Sequence, residues 1–257
     1  MLKRSLVFVY GVLCYAVFFC TYLYAIGFVG NVLVPLSIDS PPRGGFVSSL
    51  LVDAGLLLAF ALQHSVMARP AFKRWWTRFV PAPAERSTYV LASSLALIAL
   101  FAWWRPLGGV VWSVADPFSV AVLYGLCAFG FLLVLVSTFL ISHFDLFGLR
   151  QVWLHLVGKP YTPIGFRTPG PYRLVRHPLY VGWLFAFWAT PMMTLAHFVF
   201  ALATTVYILV AIQLEERDLV SSLGDSYRDY RKRVPMLVPF TRNGIPRAMP
   251  AAKAGAC

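Results

Sequence analysis

The sequence predicts an all-α, polytopic membrane helix bundle: four spans followed by a C-terminal helical hairpin, five to six membrane helices in all. Three observations carry that prediction. Of 257 residues, 59% are hydrophobic and only 12% charged, too apolar for an ordinary soluble domain. Four stretches are long enough, or nearly so, to cross a hydrocarbon core about 30 Å thick. A fifth apolar stretch is too long to cross once and carries a proline in its middle.

The four spans are Leu6 to Val29, Phe46 to Met67, Thr88 to Trp104 and Pro117 to Ile141. Each is read as a helix, because an open strand leaves its backbone groups unsatisfied in lipid. The first follows Lys3 and Arg4 like a secretory signal, but it runs long and has no small-residue cleavage site before Gly30, so it is kept as a span. The fifth stretch, Leu179 to Leu214, would be roughly 50 Å long as one helix. Pro191, in "ATPMMT", removes a backbone donor and disturbs the preceding turn, which predicts a hairpin with a short first arm and a longer second one.

Charge placement supports the hairpin independently. Of 22 Lys and Arg, two precede the first span, five lie between Arg69 and Arg86, five between Arg150 and Arg176, and eight after Leu214; only Arg43 and Arg105 remain. A hairpin gathers the other twenty on one face, as the positive-inside rule expects, with both termini cytoplasmic. The net charge of +12 is then accounted for by lipid headgroups, and no nucleic-acid fold is evident. Cys14, Cys20, Cys127 and Cys257 show no CxxC spacing, which suggests neither a disulfide framework nor a zinc site, and no histidines share a metal-ligand spacing. No repeat or long linker divides the chain, so 1–257 reads as one integral membrane domain.

Two basic-face regions are richer in polar residues than anchoring requires. Between Lys159 and Tyr172, four segments of Pro and Gly predict an irregular loop. Pro178 suits the first turn of a helix and places His177 at or just outside it, three residues from Tyr180 on one face. At the other end of the hairpin stand Glu215 and Glu216, which point about 100° apart. Glu215 is expected to face inward and Glu216 to meet solvent or a basic partner. Tyr227 and Tyr230 follow on one helical face. The hairpin makes His177, Tyr180 and Glu215 neighbours. The competing reading is plain: Arg and Tyr at membrane ends are often interfacial anchors, and one Glu near an Arg is often a salt bridge.

"GPYRLVRHPLYVGW", the hairpin, "EE" and "LGDSYRDYRKRVPMLVP", in that order, resemble the membrane-embedded S-adenosylmethionine methyltransferases typified by isoprenylcysteine carboxyl methyltransferase. The resemblance covers roughly the C-terminal third. It implies a cytosolic cofactor pocket within 143–257, with 1–142 supplying transmembrane helices, and cofactor contacts from Tyr172, His177, Pro178, Leu179, Tyr180 and Glu215, Phe166 and Arg167 lining the preceding loop. "QHSVMARPAFKRWW" and "AERSTYVLASS" resemble the NnrU membrane proteins, and "HFDLFGLRQVWL" resembles the bacterial methanethiol S-methyltransferases. That last resemblance implies methylation of a small volatile thiol to dimethyl sulfide in a bacterial inner membrane, with S-adenosyl-L-methionine as donor and no obligate protein partner. Ala211 stands where an arginine, one turn before the cofactor glutamate, helps hold a prenylcysteine carboxylate, which speaks against that substrate.

Thiolates are the competent nucleophiles, and thiols ionise near or above about 8.5, so a base or positive environment is expected. His143 and Asp145, with Arg150 close by, are the candidates. His143 reads equally as an interfacial residue satisfied by water or a carbonyl. Asp53 and His64 are intramembrane ionisable groups, functional candidates by default, and with Gln63 they read more readily as a structural polar contact. His155 and His197 carry no signal. Methylation of a prenylcysteine or phospholipid, a non-enzymatic partner in nitrogen-oxide metabolism, and a transporter are the alternatives; no paired broken helices mark a transporter's midplane site.

Overall fold

A computed structural model describes residues 1–241. Cys257 and the last three basic residues of the tail, Arg242, Arg247 and Lys253, lie outside the described residues. The elements in chain order are α1 (Leu2–Gly30), α2 (Phe46–Ala68), α3 (Pro70–Trp76), α4 (Glu85–Trp103), β1 (Val110–Ser113), α5 (Pro117–Ile141), α6 (His143–Leu146), α7 (Leu149–Leu156), α8 (Pro178–Trp188), β2 (Met192–Thr194), α9 (Leu195–Leu223) and α10 (Asp225–Arg233). Among the described residues, five helices are long and apolar enough to cross a membrane: α1, α2, α4, α5 and α9. The four expected spans and the long second arm of the hairpin are therefore present.

The short arm is α8, whose 11 residues rise only about 16 Å. It packs most closely against α5 and also touches α9. Gly130 and Gly182 make this approach possible: a Cβ on Gly130 would lie 2.5 Å from the Ala186 nitrogen, and one on Gly182 would lie 2.7 Å from the Gly130 carbonyl. Two backbones thus touch where any side chain would separate them, the usual device for helix association in lipid. α8 ends before Pro191, and Trp188 Nε1 donates to Thr205 Oγ1 of α9 at 2.9 Å.

The turn between the arms holds a feature absent from the sequence reading. Residues 192–194 pair with β1 as a two-stranded antiparallel sheet, Val110 opposite Thr194 and Ser113 opposite Met192. Beside it, His197 is fully buried and pairs through Nδ1 with Asp39 Oδ2 at 2.9 Å, while its Nε2 lies 3.0 Å from the Phe187 carbonyl. Asp39 also accepts from Thr194 Oγ1 at 2.5 Å and Asn31 Nδ2 at 2.6 Å. Burial alone would raise the Asp39 pKa, but His197 and these donors outweigh it and hold the carboxyl below its ordinary value. The expectation that His197 carries no signal is corrected: its partner lies 158 positions away, beyond any local pattern.

The main apolar core joins α1, α4, α5, α8 and α9 around Phe28, Phe101, Trp104, Phe131 and Phe200. α9 spans 29 residues, roughly 43 Å, so its last turns project past the bilayer on the face where α5 ends and α8 begins. Gly224, at φ 58° and ψ −131°, then turns the chain into α10.

Candidate active site

The site is assembled where the start of α8, the end of α9 and α10 meet. Pro178 occupies the first turn of α8, and His177 precedes it with φ −126° and ψ 61°. The segment after α10 runs alongside: Arg176 N donates to Pro235 O at 2.8 Å and His177 N to Met236 O at 3.2 Å. These two bonds clamp the hairpin's entry against the tail that follows α10.

At the centre lies Glu216, 3% exposed. Its Oε1 accepts from Arg176 Nε at 2.7 Å and lies 3.0 Å from His177 Nε2; its Oε2 is 3.2 Å from Arg231 Nε. Arg176 also donates to the carbonyls of Val234, at 2.6 Å, and Arg231, at 3.2 Å. The expected orientation of the glutamate pair is therefore reversed. Glu216 faces inward because Arg176, His177 and Arg231 bring the donors that a buried carboxylate needs. Glu215 keeps its side chain 46% exposed, with Tyr180 donating to its Oε2 at 3.1 Å and His177 Nδ1 3.9 Å away. The grouping of His177, Tyr180 and Glu215 is as expected.

Tyr172 sits in a 3₁₀ turn, Gly170–Arg173, and Tyr230 of α10 donates to its carbonyl at 2.6 Å. Burial pushes the Tyr172 phenol well above its ordinary pKa, and the nearby Glu215 carboxylate adds to the shift. Tyr172 thus stays a neutral hydrogen-bonding group on the Glu215 side. Phe166 packs against Tyr227 and Tyr230, ring centroids 5.9 and 5.5 Å away, and Arg167 Nη2 donates to the Ile141 carbonyl at 3.3 Å. These two hold the loop in place. Leu179 packs into the main core.

His143, Asp145 and Arg150 fall into two separate networks. His143 is 2% exposed, stacked on Phe139 at 4.1 Å and ringed by Tyr15, Phe18, Phe144 and Phe147. Thr138 Oγ1 donates to the Leu135 carbonyl, so it accepts from His143 Nδ1–H at 2.8 Å; Nε2 then accepts from Tyr15 at 2.8 Å. Burial lowers the His143 pKa, in keeping with this neutral tautomer. Asp145 binds Arg150 at 2.9 Å and Tyr161 at 3.2 Å, and Arg150 continues to Thr162. Burial first, then the Asp145 charge, raises the Tyr161 pKa, so its phenol stays a donor.

Asp53 does not join Gln63 and His64. It is fully buried ten residues away, about 15 Å along α2, and accepts from Arg105 N at 2.9 Å. Near it, on the opposite face of the bundle from Glu215, lies a cavity of about 670 Å³ lined in part by Arg43, Trp103 and Arg105. His64 and Gln63 instead meet Ser93 and Tyr89 of α4. The residues missed from the sequence are Arg176 and Glu216, whose signal was the "EE" pair beside a basic loop, and the α4 partners of His64, for which no local signal exists. Among the described residues, no group of three His, Cys, Asp or Glu could hold a metal ion.

Residues 118–223 match the phospholipid methyltransferase family. The methanethiol S-methyltransferase of Crocosphaera subtropica is 58% identical over 239 residues, 93% of this chain and 94% of the relative. That of Mycobacterium tuberculosis is 54% identical over 239 residues, 93% and 98% of the two chains. Nurim of Rattus norvegicus is 33% identical over 182 residues, 67% and 69%. No solved structure matches. The chain is a membrane-embedded methyltransferase and belongs to the methanethiol S-methyltransferase family.

Proposed function

We propose that this protein transfers a methyl group from S-adenosyl-L-methionine to the sulfur of methanethiol, releasing dimethyl sulfide. The observation that carries the reading is the half-exposed Glu215 carboxylate, oriented by Tyr180, on a chain so similar to methanethiol S-methyltransferases. Its remaining acceptor capacity suits a ligand's amine or hydroxyls, and the neighbouring His177, Tyr180 and Tyr172 rings suit a planar base or a sulfonium. The site fits the donor's chemistry.

When bound there, S-adenosyl-L-methionine supplies an electrophilic methyl on a positively charged sulfur. The chain's residues hold and orient it: Glu215 accepts hydrogen bonds, Tyr180 fixes Glu215, and Tyr172 and His177 wall the space. Pro178 and Leu179 set the start of α8. Phe166 and Arg167 shape the loop, and Asp145 and Arg150 tie residues 143–162 together beside it. His143 is a positioning residue in this account, because its lone pair is engaged by Tyr15.

We place the protein in the bacterial inner membrane as one domain with both ends of the chain in the cytoplasm, since that gathers the basic loops on one side. The family-model match favours one alternative substrate, a phospholipid amine. Purified protein given labelled S-adenosyl-L-methionine and, separately, methanethiol, a prenylcysteine analogue or phosphatidylethanolamine decides between them. Labelled dimethyl sulfide is expected; label only in the lipid or the carboxylate overturns the reading.

A further inference from the structure

The polar cluster around His64 has no part in the cofactor pocket described above, yet it adjoins it. Tyr180, the donor to Glu215, lies within electrostatic reach of Tyr207 and Tyr89, and Tyr89 binds His64. Polar groups therefore continue from the pocket into the membrane-spanning part of α2, α4 and α9. His64 stands one turn before the end of α2 and is partly exposed, whereas His143 is sealed in an aromatic box.

The hydrogen count of the cluster does not close on itself. A neutral imidazole has one lone pair and one N–H. Tyr89 Oη lies 3.1 and 3.0 Å from His64 Nδ1 and Nε2, and Ser93 Oγ lies 3.1 Å from Nδ1. Ser93 also accepts from Gln63 Nε2 at 3.3 Å. When Tyr89 donates to the ring's lone pair, Ser93 accepts from the ring N–H and passes its own hydrogen to the Tyr89 oxygen. Gln63 Oε1 is buried with no hydrogen-bond partner among the described residues. That carbonyl is thus left over, in a setting where an uncompensated polar group is costly.

We propose that this cluster is the thiol end of the active site and that His64 is the base that receives the thiol proton, a reading that rests on thiol methylation as proposed above. As the uncharged thiol enters between α2 and α9, its S–H bond breaks and the proton goes to His64, while the hydroxyl that occupied the ring's lone pair turns to donate to the sulfur. The thiolate's electron pair forms the new S–CH₃ bond; the carbon–sulfonium bond breaks and its pair stays on the donor's sulfur. The imidazolium then returns its proton to water.

Charged and titratable groups surround His64 on several elements. From α4 it faces Tyr89 and Arg86, whose guanidinium lies 5.2 Å from the Tyr89 ring centre. From α9, Tyr207 bonds Ser65 at 3.1 Å, and on its own helix's end Arg69 is paired with Asp218 at 2.8 Å. Arg86, which also donates to the Leu146 carbonyl at 2.8 Å, stabilises a thiolate.

The test compares the wild type with His64→Gln and Tyr89→Phe in the full chain, measuring dimethyl sulfide formation against pH and S-adenosyl-L-methionine affinity by calorimetry. His64→Gln is expected to lose about a hundred-fold or more in turnover near neutral pH, to recover as pH approaches the thiol's own ionisation, and to keep its cofactor affinity. Tyr89→Phe, which keeps the ring, is expected to lose about ten-fold and decides the matter where glutamine impairs folding. In wild-type protein labelled at histidine ¹³Cε1 and saturated with S-adenosylhomocysteine, methanethiol should move the His64 signal toward imidazolium. Wild-type turnover at neutral pH in either variant, parallel pH profiles, or an unmoved histidine signal overturns the assignment while leaving thiol methylation intact. A wild-type protein that methylates no thiol overturns both.

Discussion

The two ends of the C-terminal hairpin handle buried charge differently. At the turn, Asp39 and His197 are closed: both histidine nitrogens and both carboxylate oxygens have partners, and neither side chain reaches solvent. At the open end two carboxylates stand side by side, and only Glu216 is closed in this way. Glu215 has one tyrosine and an accessible face. Saturated pairs hold the architecture, and the carboxylate left partly unsatisfied is the one available to a ligand.

The strongest way to break the contrast is Glu216→Ala, which strands Arg176 in a buried site. Removing one partner of a buried pair costs about 3 to 5 kcal/mol. A large fall in the unfolding temperature in detergent is expected, and a variant as stable as wild type would remove Glu216 from its structural role. Asp39→Asn comes next, with a loss of about 2 to 3 kcal/mol from a charge-assisted bond to His197. The same carboxyl predicts an acid response. Its folded pKa lies below the ordinary 3.8, so its contribution is complete above that value and disappears as pH falls through the depressed one. Unfolding temperature should therefore fall less steeply with acid in Asp39→Asn than in wild type.

Glu215→Gln sharpens the contrast from the other side. It should leave unfolding within about 0.5 kcal/mol of wild type and weaken S-adenosyl-L-methionine binding about ten- to a hundred-fold, the worth of a bond to a charged group. Equal affinity by calorimetry would take Glu215 out of the pocket. The smallest effect is expected for Asp145→Asn, whose partly exposed pair with Arg150 is worth about 0.2 to 1 kcal/mol. Its turnover should drop only a few-fold with an unchanged pH profile; a hundred-fold loss that fades at high pH would return it to the role of base.

The bundle was legible in the chain because its signals are local. A span needs about 20 apolar residues in a row, and a broken 36-residue stretch with basic residues at both ends has to fold back. The composite around "VRHPLY" and "EE" foretold that His177, Tyr180 and Glu215 are neighbours for the same reason: its parts are short motifs at the hairpin's two ends. What the chain alone left undecided was which glutamate is buried. Neighbouring side chains 100° apart look alike in sequence, and the choice fell to Arg176, His177 and Arg231, brought in from two other segments.

Tertiary structure likewise decided the histidines. His197 became an ion pair through Asp39, His143 a sealed core residue through Tyr15 and Thr138, and His64 an unsaturated cluster through Tyr89 and Ser93. Hydrophobic length and charge asymmetry act along the chain and can be read there. The state of a buried polar group depends on donors and acceptors that only folding brings within 3 Å.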